Sequence, residues 1–414
     1  MVNDPTNLGA EMSDGAPIVG ADRPIILCFV AYYLPGYRSG GPVRTIANFV
    51  DHLGDEFDIR IITRDRDALD TEPYPDVAIE EWNTVGKARV FYASDQTLTL
   101  RGIARLLRET PHDILYLNSF FSFRFTTLPV LARRLGMAPK RPCVIAPRGE
   151  FSQGALEIKG TRKSFYLWLA RFLKIHHGVL WQASNEFEAK DIYTALPFAR
   201  GSIAEASNLP SEGRVPSPRT RKVKKDKDEP LRLIFLSRVS PKKNLNFLLS
   251  VLKNAEFSVE LDIYGVIDDE QHWDSCKALI TMLPSSASVR YQGVVPHMKV
   301  NRIIASYDLF VLPTRGENYG HAIAEALSQG VPVLISDQTP WRDLEMHGAG
   351  WDLSLDRKDR FLEVLAQVNA MDEAEYLALR ESAVTYAKSK LMDGSILEKN
   401  RKIFHQAYRS RDRS

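Results

Sequence analysis

Residues 309–327, LFVLPTRGENYGHAIAEAL, read as an apolar strand, a short glycine-bearing loop and a helix. The first backbone N–H groups of a helix have no partner within it, and the helix dipole favours negative charge at that end. A phosphate near Asn318, Tyr319 and Gly320 could therefore be bound by backbone groups alone. The sequence predicts an anion site where this helix starts.

Two carboxylates flank the predicted anion site. Glu317 lies in the loop, and Glu325 lies in the second helical turn, facing a cleft if the apolar residues of the helix face a sheet. Carboxylates only accept hydrogen bonds, so one could bind a ribose and the other a transferred sugar. Taken singly, Glu317 could merely favour the helix start and Glu325 could be an ordinary surface residue. The motif described next favours the functional interpretation.

That motif is SRVSPKKN at 237–244, which follows an apolar strand beginning at Leu231. It places Arg238 and Lys243 at the carboxyl end of the strand. Two cations there could neutralise a diphosphate leaving group, Arg through its planar fork and Lys as a point charge. A basic surface turn is the alternative, and the position at a strand end disfavours it.

Short apolar runs alternate with segments of helical period along most of the chain, which indicates parallel sheets covered on both faces. Strands are predicted at 25–31, 59–63, 88–92, 114–118, 143–146, 179–183, 231–237, 259–264, 289–293, 309–313 and 331–336. The predicted organisation is a flexible tail (1–22), a first domain (23–209), a linker (210–230), a second domain (231–390) and a C-terminal helix (391–414) that could pack back on the first domain.

The composition excludes several classes of protein. There are 54 basic and 52 acidic residues, so the net charge of +2 gives no reason to expect nucleic acid as a partner. The three cysteines form no Cys-x-x-Cys pair, which fits a reducing cytoplasm and argues against a thiolate zinc site. No signal peptide and no apolar run of about 18–20 residues is present.

The Arg-x4-Lys turn and the Glu-x7-Glu pair together resemble glycosyltransferase family 4, and GVPV at 330–333 also matches. The likeness extends from Ile25 to about His347. It implies the GT-B fold, in which two Rossmann-like, doubly wound α/β domains face each other across a cleft. It also implies transfer of a sugar, with retention, from a nucleotide-diphosphate sugar to a saccharide or lipid-linked saccharide. The expected context is bacterial cell-surface polysaccharide or lipopolysaccharide synthesis.

The resemblance also implies roles for individual residues. The expected catalytic residues are Arg238, Lys243 and Glu317; the expected donor-binding residues are Glu325, Asn318, Tyr319, Gly320, Gly40 and Gly41; the acceptor-side candidates are Arg148 and Glu150. No cofactor and no metal are expected, because the two cations would do the electrostatic work of a metal ion. Asp65-Arg66-Asp67 has the Asp-x-Asp spacing of a metal-binding pair, but we interpret it as an ordinary pair of acidic residues in a loop.

The chain departs from the family pattern at several positions. Arg148 stands where many members have His, and because arginine stays protonated it could supply charge or hydrogen bonds but no general base. Gly40-Gly41 is not part of a Gly-x-Gly-x-x-Gly fingerprint, which counts against a dehydrogenase. Ser237 and Asn244 replace family glycines beside the cations. None of these changes removes a charge from the donor site.

Two other functions stay open on the sequence alone. A sugar-nucleotide epimerase of related fold would act on the nucleotide sugar without an acceptor, using dedicated acid–base groups. A non-catalytic nucleotide-sugar-binding or assembly subunit would bind the donor without turnover. The motifs do not distinguish UDP, GDP and ADP, nor do they identify the sugar, the acceptor or the oligomeric state.

The basic, aromatic segment 162–181, RKSFYLWLARFLKIHHGVLW, has two interpretations. It could lie on an anionic membrane surface, with the protein at the cytoplasmic face. Alternatively, it is a crossover helix packed on the sheet with its basic face in water. We favour the packed helix, because a predicted strand follows at once.

Overall fold

The computed structural model describes residues 23–152, 156, 160–211 and 229–411 of the 414-residue chain. The tail expected over 1–22, most of the linker expected over 210–230 and the last residues of the helix expected over 391–414 lie outside the described residues. The described part contains two largely parallel sheets.

The first sheet has the strand order β3-β4-β2-β1-β5-β6-β7-β8. Its strands are β1 (Ile25–Phe29), β2 (Asp58–Arg64), β3 (Trp82–Val85), β4 (Ala88–Ala93), β5 (Ile114–Asn118), β6 (Cys143–Ala146), β7 (Leu180–Ala183) and β8 (Ile203–Glu205). The helices between them include α1 (Gly41–Leu53), α2 (Leu100–Glu109), α3 (Leu128–Arg134), α4 (Gly160–Phe172) and α5 (Glu186–Ala195). Neighbouring strands are parallel except β3 and β4. The apolar runs predict all of these strands except β3 and β8, which are only partly buried.

The second sheet is entirely parallel, in the order β11-β10-β9-β12-β13-β14. Its strands are β9 (Leu231–Leu236), β10 (Val259–Tyr264), β11 (Ala287–Gly293), β12 (Leu309–Leu312), β13 (Val333–Ser336) and β14 (Gly350–Leu353). The helices are α6 (Leu245–Leu252), α7 (Glu270–Ile280), α8 (His297–Ile304), α9 (His321–Ser328), α10 (Lys358–Ala370), α11 (Glu373–Leu391) and α12 (Gly394–Ser410). In this sheet the apolar runs predict every strand except β14.

Both sheets reverse their strand order at a central strand. In the first sheet β1 lies between β2 and β5, and in the second sheet β9 lies between β10 and β12. Ligands of such sheets bind outside the carboxyl ends of the strands at this reversal. The loops that follow β1, β9 and β12 all start there, and they carry the predicted motifs.

The C-terminal helix α12 returns to the first domain. The Phe404 ring lies 5.0 Å from the rings of Phe49 and Tyr116. At the rim of this contact, Arg401 Nε donates to the Glu56 carboxylate at 2.6 Å. Because Phe404 is completely buried in the core of the first sheet, α12 belongs to that core although it follows the second domain in sequence.

Replacement of Phe404 by Ala should destabilise the first domain. The change removes a fully buried ring and leaves a cavity, so we expect the free energy of unfolding to fall by about 3–5 kcal/mol. Urea denaturation followed by tryptophan fluorescence measures this. Gln406→Ala, at an exposed position of the same helix, is the matched control. Equal stability of the two variants would contradict the packing described for α12.

Candidate functional site

A cleft of about 260 Å³ lies between the two domains, at the carboxyl ends of both sheets. Its lining includes Gly40, Gly41, Arg44 and Arg148 from the first domain and Arg238, Lys242, Lys243, Glu317, Asn318, Tyr319, Gly320 and His321 from the second. Two of the predicted site residues, Glu325 and Glu150, are not among the described residues that line it.

Lys243 and Glu317 form an ion pair within the cleft. Lys243 follows β9 and Glu317 follows β12, and the Lys243 ammonium donates a hydrogen bond to the Glu317 carboxylate. Beside them, the Asn244 side-chain amide donates to the carbonyl oxygen of Pro313 at 3.0 Å, which joins the two loops. The pairing of β9 with β12 thus brings two sequence motifs into one site.

The charges around Glu317 determine its protonation. Burial alone would raise the pKa of the Glu317 carboxyl, but Lys243, Lys242 and Arg238 outweigh that effect and the pKa is lowered. A carboxylate that stays ionised accepts hydrogen bonds and donates none. Glu317 is therefore suited to hold hydroxyl groups and unsuited to act as a general acid.

The other two cations of this loop differ in exposure. The Arg238 side chain is 46% exposed and forms an ion pair with Asp268 at 2.9 Å. Lys242 lies deeper, and burial lowers its pKa while the nearby Glu317 opposes the shift. Sequence reasoning did not single out Lys242, although its position beside Lys243 in the strand-end turn was a usable signal.

The start of α9 is held by its neighbours. Gly320 has a φ of 82°, which favours glycine, and a Cβ there would lie 2.8 Å from the Ile323 side chain. The indole N–H of Trp341 donates to the Tyr319 carbonyl oxygen at 2.5 Å. These contacts hold the backbone of the loop that the sequence predicts as an anion site. The helix begins at His321.

Glu325 lies outside the cleft lining and contacts the other domain. Its carboxylate accepts a hydrogen bond from Arg44 of α1 at 2.5 Å, and both side chains are largely buried. Burial raises the pKa of the Glu325 carboxyl, and the Arg44 charge opposes that shift. Glu325 therefore lies behind Arg44, which lines the cleft and which sequence reasoning missed, and its role in donor binding stays a prediction.

Further hydrogen bonds join the two domains around the Asn318–His321 loop. Thr45 Oγ1 and His321 Nε2 are 3.0 Å apart. The Asn318 side-chain amide donates to Ser184 Oγ at 2.8 Å, and Asn185 Nδ2 donates to the Asn318 carbonyl oxygen at 3.2 Å. The domains are in contact across the cleft, and the loop predicted to bind the donor is part of that contact.

The glycine pair lies at the start of α1, on the first-domain wall. Gly40 immediately precedes the helix, and Gly41 is its first residue. A Cβ at Gly41 would come within 3.6 Å of the His321 ring, so the backbone of α1 approaches the start of α9 closely here. The two predicted glycines thus lie opposite the predicted phosphate loop.

Arg148 lies in the cleft wall of the first domain. Its guanidinium donates to the Tyr116 hydroxyl and to the side-chain oxygens of Asn118 and Asn208. These partners come from β5 and from the segment that leaves the first domain. Arg148 is thereby oriented by neutral oxygens.

Glu150 is not among the described residues that line the cleft. Its carboxylate accepts hydrogen bonds from Ser119 Oγ at 2.5 Å and from the backbone N–H groups of Phe120 and Phe121 at 2.5 and 2.9 Å. Burial raises the pKa of this carboxyl, and these hydrogen bonds oppose the rise. These contacts hold the loop after β5, and the acceptor-side role of Glu150 stays a prediction.

Asp65 and Asp67, the acid pair that follows β2, form hydrogen bonds with nearby protein groups. Asp65 accepts from Arg66 Nε at 2.8 Å, and Asp67 accepts from the backbone N–H groups of Tyr37 and Arg38 at 2.8 and 3.0 Å. Within the described ranges, no group of three or more His, Cys, Asp or Glu side chains could hold a metal ion.

The chain is similar to known glycosyltransferases. Residues 217–388 match the family model described as "Glycosyl transferases group 1". A Klebsiella pneumoniae protein described as an uncharacterized 41.2 kDa protein in the cps region is 24% identical over 57% of this chain and 63% of its own length. The amylovoran biosynthesis glycosyltransferase AmsK of Erwinia amylovora is 28% identical over 37% of this chain and 39% of its own. The chain thus spans less than two thirds of either relative.

A solved structure shows the same fold over both domains. The Anabaena protein HepE, crystallised in complex with UDP-glucose, aligns with 92% of this chain and 98% of its own, with a TM-score of 0.67 and 15% sequence identity. The alignment confirms the expected GT-B fold, with two doubly wound domains facing a cleft.

The contact between Arg44 and Glu325 predicts a measurable energetic coupling. Arg44→Gln and Glu325→Gln should each leave a buried charge without its partner, so the double variant should lose less stability than the sum of the two. We expect a coupling of about 1–3 kcal/mol in the free energy of unfolding, measured by urea denaturation.

The exposed ion pair of Arg357 and Asp359 is the control for this cycle. Arg357→Gln and Asp359→Asn should show no measurable coupling, because water screens an exposed pair. If the coupling energy between Arg44 and Glu325 were as small as that of the control pair, the buried contact between the domains would be contradicted.

Proposed function

We propose that this protein is a glycosyltransferase that moves a sugar from a nucleotide-diphosphate sugar to a saccharide or lipid-linked saccharide acceptor. The observation that carries the proposal is the buried pair of Lys243 and Glu317, beside the start of α9 in a cleft between two doubly wound domains. The match to the glycosyltransferase family model over 217–388 supports it. The names of the similar proteins favour a role in cell-surface polysaccharide or lipopolysaccharide synthesis.

The cations of the second domain would stabilise the departing diphosphate. Lys243 has three N–H donors, and its contact with Glu317 uses one of them, so it can also donate to a phosphate oxygen. Arg238 lies at the cleft edge, and the backbone at Tyr319 lies at the start of α9. Charge that grows on the leaving group as the glycosidic bond breaks would be stabilised by these groups.

The two carboxylates would hold the sugars of the donor. Glu317 lies in the cleft and stays ionised, so it can accept hydrogen bonds from the transferred sugar. Glu325 would take the ribose, and the ribose hydroxyl groups would then share its carboxylate with Arg44. Closing of the two domains over the donor would exclude water and limit its hydrolysis.

We further propose that the reaction retains the anomeric configuration and needs no metal. Lys243, Lys242 and Arg238 would supply the positive charge that a metal ion supplies in other transferases. The leaving phosphate itself would accept the proton of the acceptor hydroxyl, so that attack and departure occur on one face of the sugar. Glu317, held ionised by three cations, is poorly suited to act as a base.

Removal of either member of the central pair should abolish most of the activity. Lys243→Ala and Glu317→Gln should each lower kcat by about 100-fold or more, the usual cost of losing a preorganised electrostatic contact. The measurement is transfer from radiolabelled UDP-, GDP- and ADP-sugars to lipid-linked saccharides. Lys277→Ala, an exposed lysine of α7, is the control and should retain full activity. Near-wild-type turnover in the two site variants would refute the assignment.

The same assay separates the alternative functions. An epimerase would change the nucleotide sugar without any acceptor, and a binding subunit would retain the donor without turnover. A product labelled only when acceptor is present identifies a transferase.

We also propose that α4 attaches the protein to the cytoplasmic face of a membrane. Phe165, Trp168 and Phe172 are 64%, 57% and 72% exposed, and their rings stack in succession with centroids 5.9 and 5.7 Å apart. Leu167 and Ala170, on the other side of the helix, are buried. The helix therefore packs on the domain, as the favoured interpretation expects, but its outer face is aromatic as well as basic.

The charge of this segment fits an anionic surface. Residues 160–178 contain four Lys or Arg residues and no Asp or Glu. Aromatic rings next to basic side chains are typical of interfacial helices. Among the described helices, none has the length and the apolar character that a membrane span requires.

Trp168→Ser combined with Phe172→Ser should prevent sedimentation with vesicles that contain phosphatidylglycerol, because the apolar contact is lost. Replacing Lys163, Arg171 and Lys174 by Gln should weaken the binding to these vesicles at low salt, where charge attraction is least screened. Met346→Ser with Met392→Ser, at exposed apolar positions of the second domain, is the control. Unchanged binding of both α4 variants to these vesicles would refute the proposed attachment.

A further inference from the structure

We propose that Arg148 binds a sugar carboxylate, so that the cleft selects a uronic acid among its substrates. The inference rests on the proposed function and narrows its substrate class. It starts from the balance of charges around the cleft.

Most cations that line the cleft have a carboxylate partner. The pairs are Arg38 with Asp70, Arg44 with Glu325, Arg238 with Asp268 and Lys243 with Glu317. Arg148 and Lys242 have no carboxylate within the ion-pair distance of 4.0 Å among the described residues. Lys242 adjoins Lys243 in the second domain, where the donor diphosphate is expected. Arg148 is the corresponding cation on the opposite wall.

The contacts of Arg148 orient its charge without neutralising it. Nε and Nη2 donate to the Asn118 side-chain oxygen, Nη2 also donates to the Tyr116 hydroxyl, and Nη1 donates to the Asn208 side-chain oxygen. These bonds use four of the five N–H groups of a guanidinium and leave one on Nη1. A partly buried charge held only by neutral oxygens is stabilised further when an anion binds beside it.

The backbone that carries this charge adopts an unusual conformation in the cleft wall. Arg148 and Gly149 both have left-handed φ values, 59° and 78°. Arginine adopts this conformation at a cost of about 1–2 kcal/mol, which the surrounding contacts must offset. The Gly149 N–H donates to the Glu188 carboxylate at 2.5 Å, and this bond holds the turn after β6. Strain of this kind at a cleft residue is typical of functional positions.

The turn that carries Arg148 also contacts the loop that carries Glu317. A Cβ on Gly149 would lie 3.2 Å from the Asn318 side chain, so the two loops are in close contact. Under the proposed function, Glu317 orients the transferred sugar. Because Arg148 and Glu317 line the same cleft, a carboxylate on that sugar, or on an acceptor sugar beside it, would share the cleft with the Arg148 guanidinium. Arginine recognises a carboxylate through charge-assisted hydrogen bonds that a neutral hydroxymethyl group cannot match.

The test compares acidic and neutral sugars of matched configuration. Calorimetry first identifies the nucleotide that binds among UDP, GDP and ADP. The affinities of UDP-glucuronate and UDP-glucose, UDP-galacturonate and UDP-galactose, or GDP-mannuronate and GDP-mannose are then measured for that base. A second arm titrates methyl glucuronide and methyl glucoside, and the matching galactosides and mannosides, into protein saturated with the nucleotide. We expect at least about tenfold tighter binding of an acidic sugar in one arm.

Variants at Arg148 assign the preference to this residue. Arg148→Gln should remove the preference for the acidic sugar and leave the affinity for the free nucleotide unchanged. Arg148→Lys, which keeps the charge without the planar fork, should retain part of the preference. Arg101→Gln, at an exposed position of the first domain, is the control, and thermal unfolding verifies that each variant folds.

The outcomes separate this inference from the proposed function. A preference in the donor arm assigns the carboxylate to the transferred sugar, and a preference in the acceptor arm assigns it to the acceptor. Nucleotide binding without a preference in either arm would overturn the role of Arg148 alone. Loss of free-nucleotide affinity in Arg148→Gln would also overturn it, because the anion would then be a phosphate. Absence of binding by all three nucleotides would refute the proposed function and this inference with it.

Discussion

The buried contact between the Lys243 ammonium and the Glu317 carboxylate is the constraint on which the site depends. Each group would be costly to bury alone, and each is stabilised by the other, while Lys242 and Arg238 further stabilise the Glu317 carboxylate. The contact joins the loops after β9 and β12, so the parallel pairing of these strands determines where the charges meet. The same strands form the reversal point of the second sheet, where a ligand has room to bind.

The first domain completes this site through polar contacts. Arg44 reaches Glu325, Thr45 reaches His321, and Ser184 reaches Asn318 across the cleft. These contacts involve the same loop and helix that are proposed to hold the donor. Donor binding as proposed would therefore involve the same polar groups that join the two domains.

Much of the fold could be predicted because buried parallel strands are continuous apolar runs. The strands β3, β8 and β14 could not be predicted in this way, because only part of each is buried. The charged motifs of the second domain were recognisable because each follows a strand directly.

Contacts between distant parts of the chain could not be predicted from local patterns. Arg44 and Glu325 are 281 positions apart, and nothing in either segment indicates their pairing. Glu150 lies only two residues beyond Arg148, but the left-handed turn between them sends its carboxylate to the loop after β5. Placing Glu150 correctly requires the backbone conformation, which composition and spacing do not contain.

The packing of helix α12 has a consequence for separating the two domains experimentally. Phe404 of α12 completes the hydrophobic core of the first sheet. If the chain were divided between the two domains, the first sheet would therefore lose part of its core. A fragment that ends before Gly394 would expose an apolar groove, and a peptide with the sequence of α12 supplied in trans would be its natural complement.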